Sequence, residues 1–206
     1  MLRSLPVPAP RRSHAMSLLE IRASTPAEFF AWQESQDERY ELVNGFPLLQ
    51  PRAPMGHNLL VVNILGGIGQ RLRRSPCRAF TANIGVETLP GQIRRPDAGI
   101  DCGIFDPDGY LAAKPIVVFE VLSPSTRDFD RLRKVDEYKQ VSTMRHIVVV
   151  EPKRPQVLVW SRNMASESAG KWTAEEMIGL ERVIRLDAVA LELPLAEIYD
   201  RLSFDD

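Results

Sequence analysis

Glu120 stands inside an otherwise apolar run, with Ile116, Val117, Val118 and Phe119 before it and Val121 and Leu122 after it. An ionised carboxylate in such a strand is costly unless it is paired or binds a cation. Asp97 lies in Arg95-Pro96-Asp97-Ala98-Gly99-Ile100-Asp101, at the opening of another expected strand, where proline is tolerated. Pro-Asp opening one strand and a lone Glu inside the next put two carboxylates side by side. Neighbouring carboxylates repel unless a cation or a shared proton relieves them, and hard oxygen donors suit Mg²⁺ or Mn²⁺. That is equipment for phosphodiester hydrolysis, which also needs a cationic side chain to orient water or stabilise charge. The position two residues beyond Glu120 is Leu122, so the best cation is Lys134, in Asp130-Arg131-Leu132-Arg133-Lys134. It is expected about two turns into the following helix, reaching back over the sheet.

Each residue also has a plainer reading. Glu120 could be a structural acid bridged to an arginine. Lys134 could be an exposed helix lysine paired with Asp130 at i,i+4, worth only about 0.3 kcal/mol. Asp101 shares a strand face with Asp97 but is expected further from a metal. Glu41, taken alone, reads as a solvated strand residue, and His57 at a helix start as a cap or a hydrogen bonder behind the ligands. Arg95, Arg127 and Arg131 are candidates for holding nucleic-acid phosphates. The other arginines near them read mostly as solvated charges.

The elements that must position these residues are legible in part. Thr25-Pro26-Ala27-Glu28 is a capping box with proline at the first helical position, opening a helix to about Ser35. Asn44-Gly45 between Arg39–Val43 and Phe46–Leu49 predicts a hairpin. Leu60, Ile64, Ile68 and Leu72 form one stripe of a helix from Gly56, with Gly66, Gly67 and Gly69 weakening it or marking a close crossing. Strands are expected at 79–89, 95–102 and 115–122, a helix at 128–141, and strands at 146–150 and 156–161. The stretch 171–206 is less legible, with a terminal helix expected at 194–202. The resulting order, α-β-β-α-β-β-β-α-β-β, predicts an α/β (α+β) fold, a mixed sheet with helices packed on it.

Composition sets the limits. The chain has 206 residues, 44% hydrophobic and 26% charged, which is ordinary for a globular protein. The formal net charge of -1 gives no global positive field for nucleic acid, so a binding surface must be a local patch. No apolar run approaches the ~20 residues of a membrane span. Cys77 and Cys102 are too far apart for a CxxC site and too few for a disulfide framework, so a reducing cytoplasm is expected. Residues 1–15, with Pro6, Pro8, Pro10 and three arginines, read as a disordered tail or an extension from a start codon upstream of Met16. Residues 16–206 read as one domain.

The chain resembles the Uma2 family, a branch of the PD-(D/E)xK restriction-endonuclease-like superfamily. The matching stretches are Tyr40-Glu41-Leu42-Val43-Asn44-Gly45, His57, Arg95-Pro96-Asp97, Glu120-Val121-Leu122-Ser123-Pro124-Ser125-Thr126, and Asp130 to Lys134 with Tyr138. They span residues 25 to 150. The resemblance implies a metal-dependent nuclease core with Glu41, Asp97 and Glu120 as its acids and Mg²⁺ or Mn²⁺ as the cofactor. Lys134 would be a lysine migrated onto the helix, and the partner nucleic acid, DNA in the first instance. Departures fall after Tyr138, at Lys139 to Thr143, and at His146-Ile147-Val148, away from the acids. The competing reading is a non-catalytic nucleic-acid-binding or regulatory module that kept the fold, favoured by Leu122 and the near-neutral charge. A small-molecule enzyme on the same scaffold has no motif behind it. A homodimer is expected because cutting both strands of a duplex generally takes two sites.

Overall fold

The structure is a computed structural model that describes residues 25–123, 129–165 and 169–204, with the backbone alone for 129–132. The segment 1–15, Arg127 and the side chains of Asp130 and Arg131 therefore lie outside the described residues.

Helix α1 (Pro26–Gln33) opens on the expected capping box: Thr25 accepts from the Glu28 backbone and Glu28 accepts from the Thr25 backbone. Strands β1 (Tyr40–Val43) and β2 (Phe46–Leu49) form the expected hairpin. Asn44 and Gly45 both take positive φ, at 54° and 80°, the geometry a two-residue turn needs to match strand twist. Helix α2 (Met55–Arg71) follows, burying Leu60, Ile64 and Ile68. Of Gly66, Gly67 and Gly69, it is Gly67 that marks the close crossing: a Cβ there would meet Leu193.

The middle of the chain divides more finely than its pattern predicts. The stretch expected as one strand from 79 is two, β3 (Arg78–Thr81) and β4 (Val86–Leu89), which belong to different sheets. Strand β5 (Gln92–Arg94) joins β4's sheet, and β6 (Ala98–Asp101) begins only after Pro96-Asp97. Strand β7 (Pro115–Val121) is the apolar strand that carries Glu120. Then come α3 (Phe129–Gln140), β8 (His146–Glu151) and β9 (Gln156–Arg162), close to their expected bounds.

The C-terminal stretch departs from expectation. It holds β10 (Trp172–Ile178), β11 (Val183–Leu186), β12 (Leu191–Pro194) and only a four-residue helix α4 (Leu195–Ile198). Strand β10 runs Ala174-Glu175-Glu176 exposed on the sheet edge, so burial left no apolar alternation to read.

The main sheet has the order β10-β9-β8-β7-β6-β3, and β7 and β8 are its parallel pair. A second sheet, β2-β1-β5-β4, stands beside it. Alternate residues of β7 face opposite layers. Val117, Phe119 and Val121 pack with Leu60, Ile64 and Ile68 of α2, while Val118 packs with Val135 and Tyr138 of α3. Glu120 shares a face with Val118 by the two-residue period, so it points to the α3 side. This is the mixed α+β architecture the sequence predicts.

Cys77 and Cys102 form a disulfide, with Cα atoms 4.1 Å apart. Two cysteines 25 positions apart make neither a CxxC site nor a disulfide framework, yet they flank the adjacent positions Arg78 and Asp101 on paired strands. The bond removes the ground on which a reducing compartment was expected. Closing a loop of that length should contribute about 3 kcal/mol. Urea unfolding with and without reductant should show a loss of that size, and Cys77→Ser should reproduce it. An unchanged midpoint would mean that the thiols stay apart.

Candidate active site

The site lies at the C-terminal end of β7, between the start of α2 and the middle of α3. In the antiparallel ladder Ala98 pairs with Phe119, so Asp97, one residue before, comes opposite Glu120, one residue after. The Val121 N–H donates to Asp97 Oδ2 at 2.8 Å, holding that carboxylate against the end of β7. His57, in the first turn of α2, brings Nε2 to 3.1 Å from the Val121 carbonyl and 3.4 Å from Asp97 Oδ2. Burial alone would depress the imidazole; the Asp97 hydrogen bond and charge outweigh it and raise its pKa. His57 therefore acts through Asp97, as a helix-start hydrogen bonder.

Helix α3 supplies the other side. Tyr138, fully buried, donates its hydroxyl to Glu120 Oε1 at 2.7 Å. Lys134, one turn earlier, places Nζ 3.6 Å from Glu120 Oε2 and 3.0 Å from Glu41 Oε1. The lysine does reach back from the helix over the sheet. Burial opposes its charge, but Glu120 and Glu41 outweigh burial and raise its pKa, so it remains an ammonium.

Glu41 is 2% exposed and has both oxygens engaged. Oε1 accepts from the Arg95 backbone N–H at 3.0 Å and Gln50 Nε2 at 3.3 Å as well as from Lys134; Oε2 accepts from Arg94 Nη1 at 2.9 Å. Burial would raise its pKa, but Lys134 and then Arg94 overrule that and hold it below the ordinary carboxylate range. Arg94 in turn grips Glu137 of α3 through Nε at 2.5 Å and Nη2 at 2.8 Å.

Two candidates take other roles. Arg95 is buried and turned inward, donating Nε to the Tyr40 carbonyl and Nη1 to the Ala82 and Asn83 carbonyls, with its guanidinium over the Phe30 ring. Burial pushes its pKa down to about 10. It braces α1 and β1 and presents nothing to a phosphate, contrary to the sequence expectation. Asp101 pairs with Arg78 at 2.8 Å and accepts from the Gly103 and Lys114 backbones, a structural acid at the far end of β6. Arg94 and Glu137 do more than the sequence indicated. The signal for Glu137 is its i,i+3 spacing from Lys134, with Tyr138 at i,i+4, which puts all three on one helix face; Arg94 carries no such signal.

Glu120 carries the least compensated charge. Its side chain is 14% exposed. Burial, more than any other cause, pushes its pKa up to about 7, with Asp97 and Glu41 adding repulsion and Lys134 and Tyr138 opposing them. Among the described residues no group of three or more His, Cys, Asp or Glu side chains is placed to hold a metal ion. What the site offers is two hard carboxylates with excess negative charge. That fits Mg²⁺ or Mn²⁺, which bind through one or two carboxylates and keep several waters.

Comparison with known proteins now decides the family. The model of Uma2, described as "Putative restriction endonuclease", matches residues 26–196. The chain belongs to the Uma2 family. An uncharacterized Synechocystis protein is 22% identical over 182 residues, 87% of this chain and 93% of that protein. The crystal structure of "a putative nuclease belonging to DUF820" from Anabaena variabilis superposes with a TM-score of 0.64 at 15% identity. The match covers 82% of this chain and 94% of that one. At that identity the likeness shows the fold: the Uma2 chain has the nuclease-like architecture.

The Glu120 pKa has a consequence for stability. Its folded value lies above the ordinary 4.5, so the folded Uma2 chain prefers the protonated acid. Ionisation of Glu120 therefore opposes folding progressively as pH rises from about 4.5 to 7, and fully above 7. The penalty is on the order of 2–3 kcal/mol. Without divalent metal, Glu120→Gln should melt higher than wild type at pH 8, by roughly 5–10 °C, with the gap mostly closed at pH 5. A gap that does not change with pH would contradict the assignment.

Proposed function

We propose that this Uma2 protein is a metal-dependent endonuclease that hydrolyses phosphodiester bonds of nucleic acid, DNA in the first instance. The observation that carries the reading is the meeting of Lys134 with Glu120 beside Asp97. Leu122 stands where a strand lysine is usual, and a cation arriving from the helix supplies the missing group. That same arrangement weakens the rival reading of a non-catalytic binding module.

Asp97 and Glu120 would hold Mg²⁺ or Mn²⁺, which when bound supplies a Lewis acid for the phosphate and lowers the pKa of water. The side chains do the rest. Tyr138 holds Glu120 Oε1 and His57 holds Asp97 Oδ2, so both acids keep one orientation. Lys134 stays an ammonium and takes no proton; it orients the attacking water, whose proton passes to bulk solvent, and offsets charge on the phosphate as the P–O bond opposite the incoming oxygen breaks. Glu41 serves as the anchor of Lys134, since both its oxygens are already engaged.

We assign the working unit as a homodimer, because two cuts in a duplex call for two sites. The exposed Phe46, Leu48 and Leu49 on the edge strand β2 suit pairing with a second copy. Light scattering at micromolar concentration should report twice the chain mass; monomer alone would rule this out.

Cleavage of plasmid and single-stranded DNA with added Mn²⁺ tests the activity. Glu120→Gln and Lys134→Met should each lose on the order of 10²–10³-fold in rate, and Mn²⁺ should raise the melting temperature of wild type but much less that of Glu120→Gln. Equal cleavage by wild type and Glu120→Gln would place the chemistry elsewhere. Neither cleavage nor a melting shift in wild type would leave the binding module as the better reading.

A further inference from the structure

Arg94 is the largest fully buried side chain among the described residues, at 1% exposure. A buried guanidinium is expensive to desolvate, and replacing such ion pairs with apolar residues is often neutral or stabilising. Packing alone therefore gives no reason for it. What an arginine adds is direction, because its planar fork fixes the angle and distance of a carboxylate in a way that apolar contacts do not.

The fork here joins two bodies. Arg94 sits on β5 in the small sheet, beside β1 with Glu41, and Glu137 sits on α3. Two donors, Nε and Nη2, meet both oxygens of Glu137, which also receives Arg133 Nε at 3.1 Å. The third, Nη1, takes Glu41 Oε2 and leaves Oε1 as the oxygen facing Lys134. Lys134 lies one turn before Glu137 on the same helix face, so gripping Glu137 sets both the rotation and the height of α3 at Lys134. Sharing Glu41's charge with Arg94 also keeps Lys134 from being drawn wholly to Glu41 and away from Glu120.

The geometry points to Arg94 as a positioning residue for Lys134: through Glu41 and Glu137 it keeps the lysine placed between Glu41 and Glu120. This rests on the phosphodiester-cleavage reading for its effect on rate, but its structural core is independent of turnover. Arg94 touches none of the groups assigned to the metal or the substrate, so its loss should separate from theirs.

Two variants test it. Arg94→Lys keeps the charge and loses the fork. The double variant Arg94→Met, Glu137→Met removes the pair together, and it serves if the single variant fails to fold. Crystal structures of both should show Lys134 Nζ more than 4 Å from Glu120, where wild type holds it at 3.6 Å. Lys134 remaining in place would overturn the proposal whatever the kinetics. The kcat for Mn²⁺-dependent cleavage should fall about 10–100-fold, the usual effect of disturbing groups behind a reacting centre. KM and the Mn²⁺-induced melting shift should stay at wild-type values. A variant that only melts lower, with wild-type kcat at a temperature where it is folded, would show Arg94 to be merely structural. A wild type inactive on every nucleic acid would end the cleavage reading, while the position of Lys134 in the variants would still decide this one.

Discussion

The buried guanidinium of Arg94 forces an arrangement on everything around it. Its desolvation is tolerable because each of its three nitrogens donates to a carboxylate, and the two carboxylates come from a strand of the small sheet and a helix on the main one. Removing it would take a charge-assisted hydrogen bond from Glu41 and two from Glu137, both at low exposure. The relative placement of the small sheet and α3 is thus tied to an ion cluster as well as to the apolar contact of Val86 with Val135 and Tyr138. Because charge and fork geometry are both specific, the cluster transmits position as well as stability.

From that anchor the charges run outward toward the site. Arg94 is the buried cation and Lys134 a partly buried one, with Arg133 at the rim; Glu41, Glu137, Glu120 and Asp97 are the acids of the cluster. Glu41 is held ionised by two cations, whereas Glu120 has only Lys134 at a longer distance and a phenol. The deficit of positive charge is therefore located at Glu120, beside Asp97. A divalent cation there would complete the balance without altering the part of the cluster that is already satisfied. That asymmetry is the physical basis for reading Glu41 as the lysine's anchor and the other two acids as the metal's.

Placing the lysine on a helix instead of the acid's own strand changes what must be controlled. A strand lysine two residues after the acid inherits its position from the pleat. A helix lysine depends on the rotation and height of the whole helix against the sheet, which a slip of one side chain would spoil. Glu137 and Tyr138, one turn along from Lys134 and bound to Arg94 and Glu120, hold that helix by two directional contacts on the face that carries the lysine. His57 does the corresponding work from α2 on the Asp97 side.

Local features were readable because their causes are local. The capping box at Thr25, the positive-φ turn at Asn44-Gly45 and the apolar run around Glu120 each depend on residues a few positions apart. A lone acid in an apolar strand declares itself by its cost, whatever packs against it. The register that sets Asp97 opposite Glu120 followed from two such strands lying adjacent. What the residues near each other in sequence could not decide was which groups meet through space. Arg94 and Arg95 are neighbours of the same type, yet strand alternation sends one into the charge cluster and the other under α1. Cys77 and Cys102 became partners only when β3 paired with β6. The exposed edge strand β10 left no apolar pattern to follow. Sequence determined that Glu120 needed a positive partner; tertiary structure decided which cation it, Glu41 and Glu137 received, because that choice depends on the angle between a sheet and a helix.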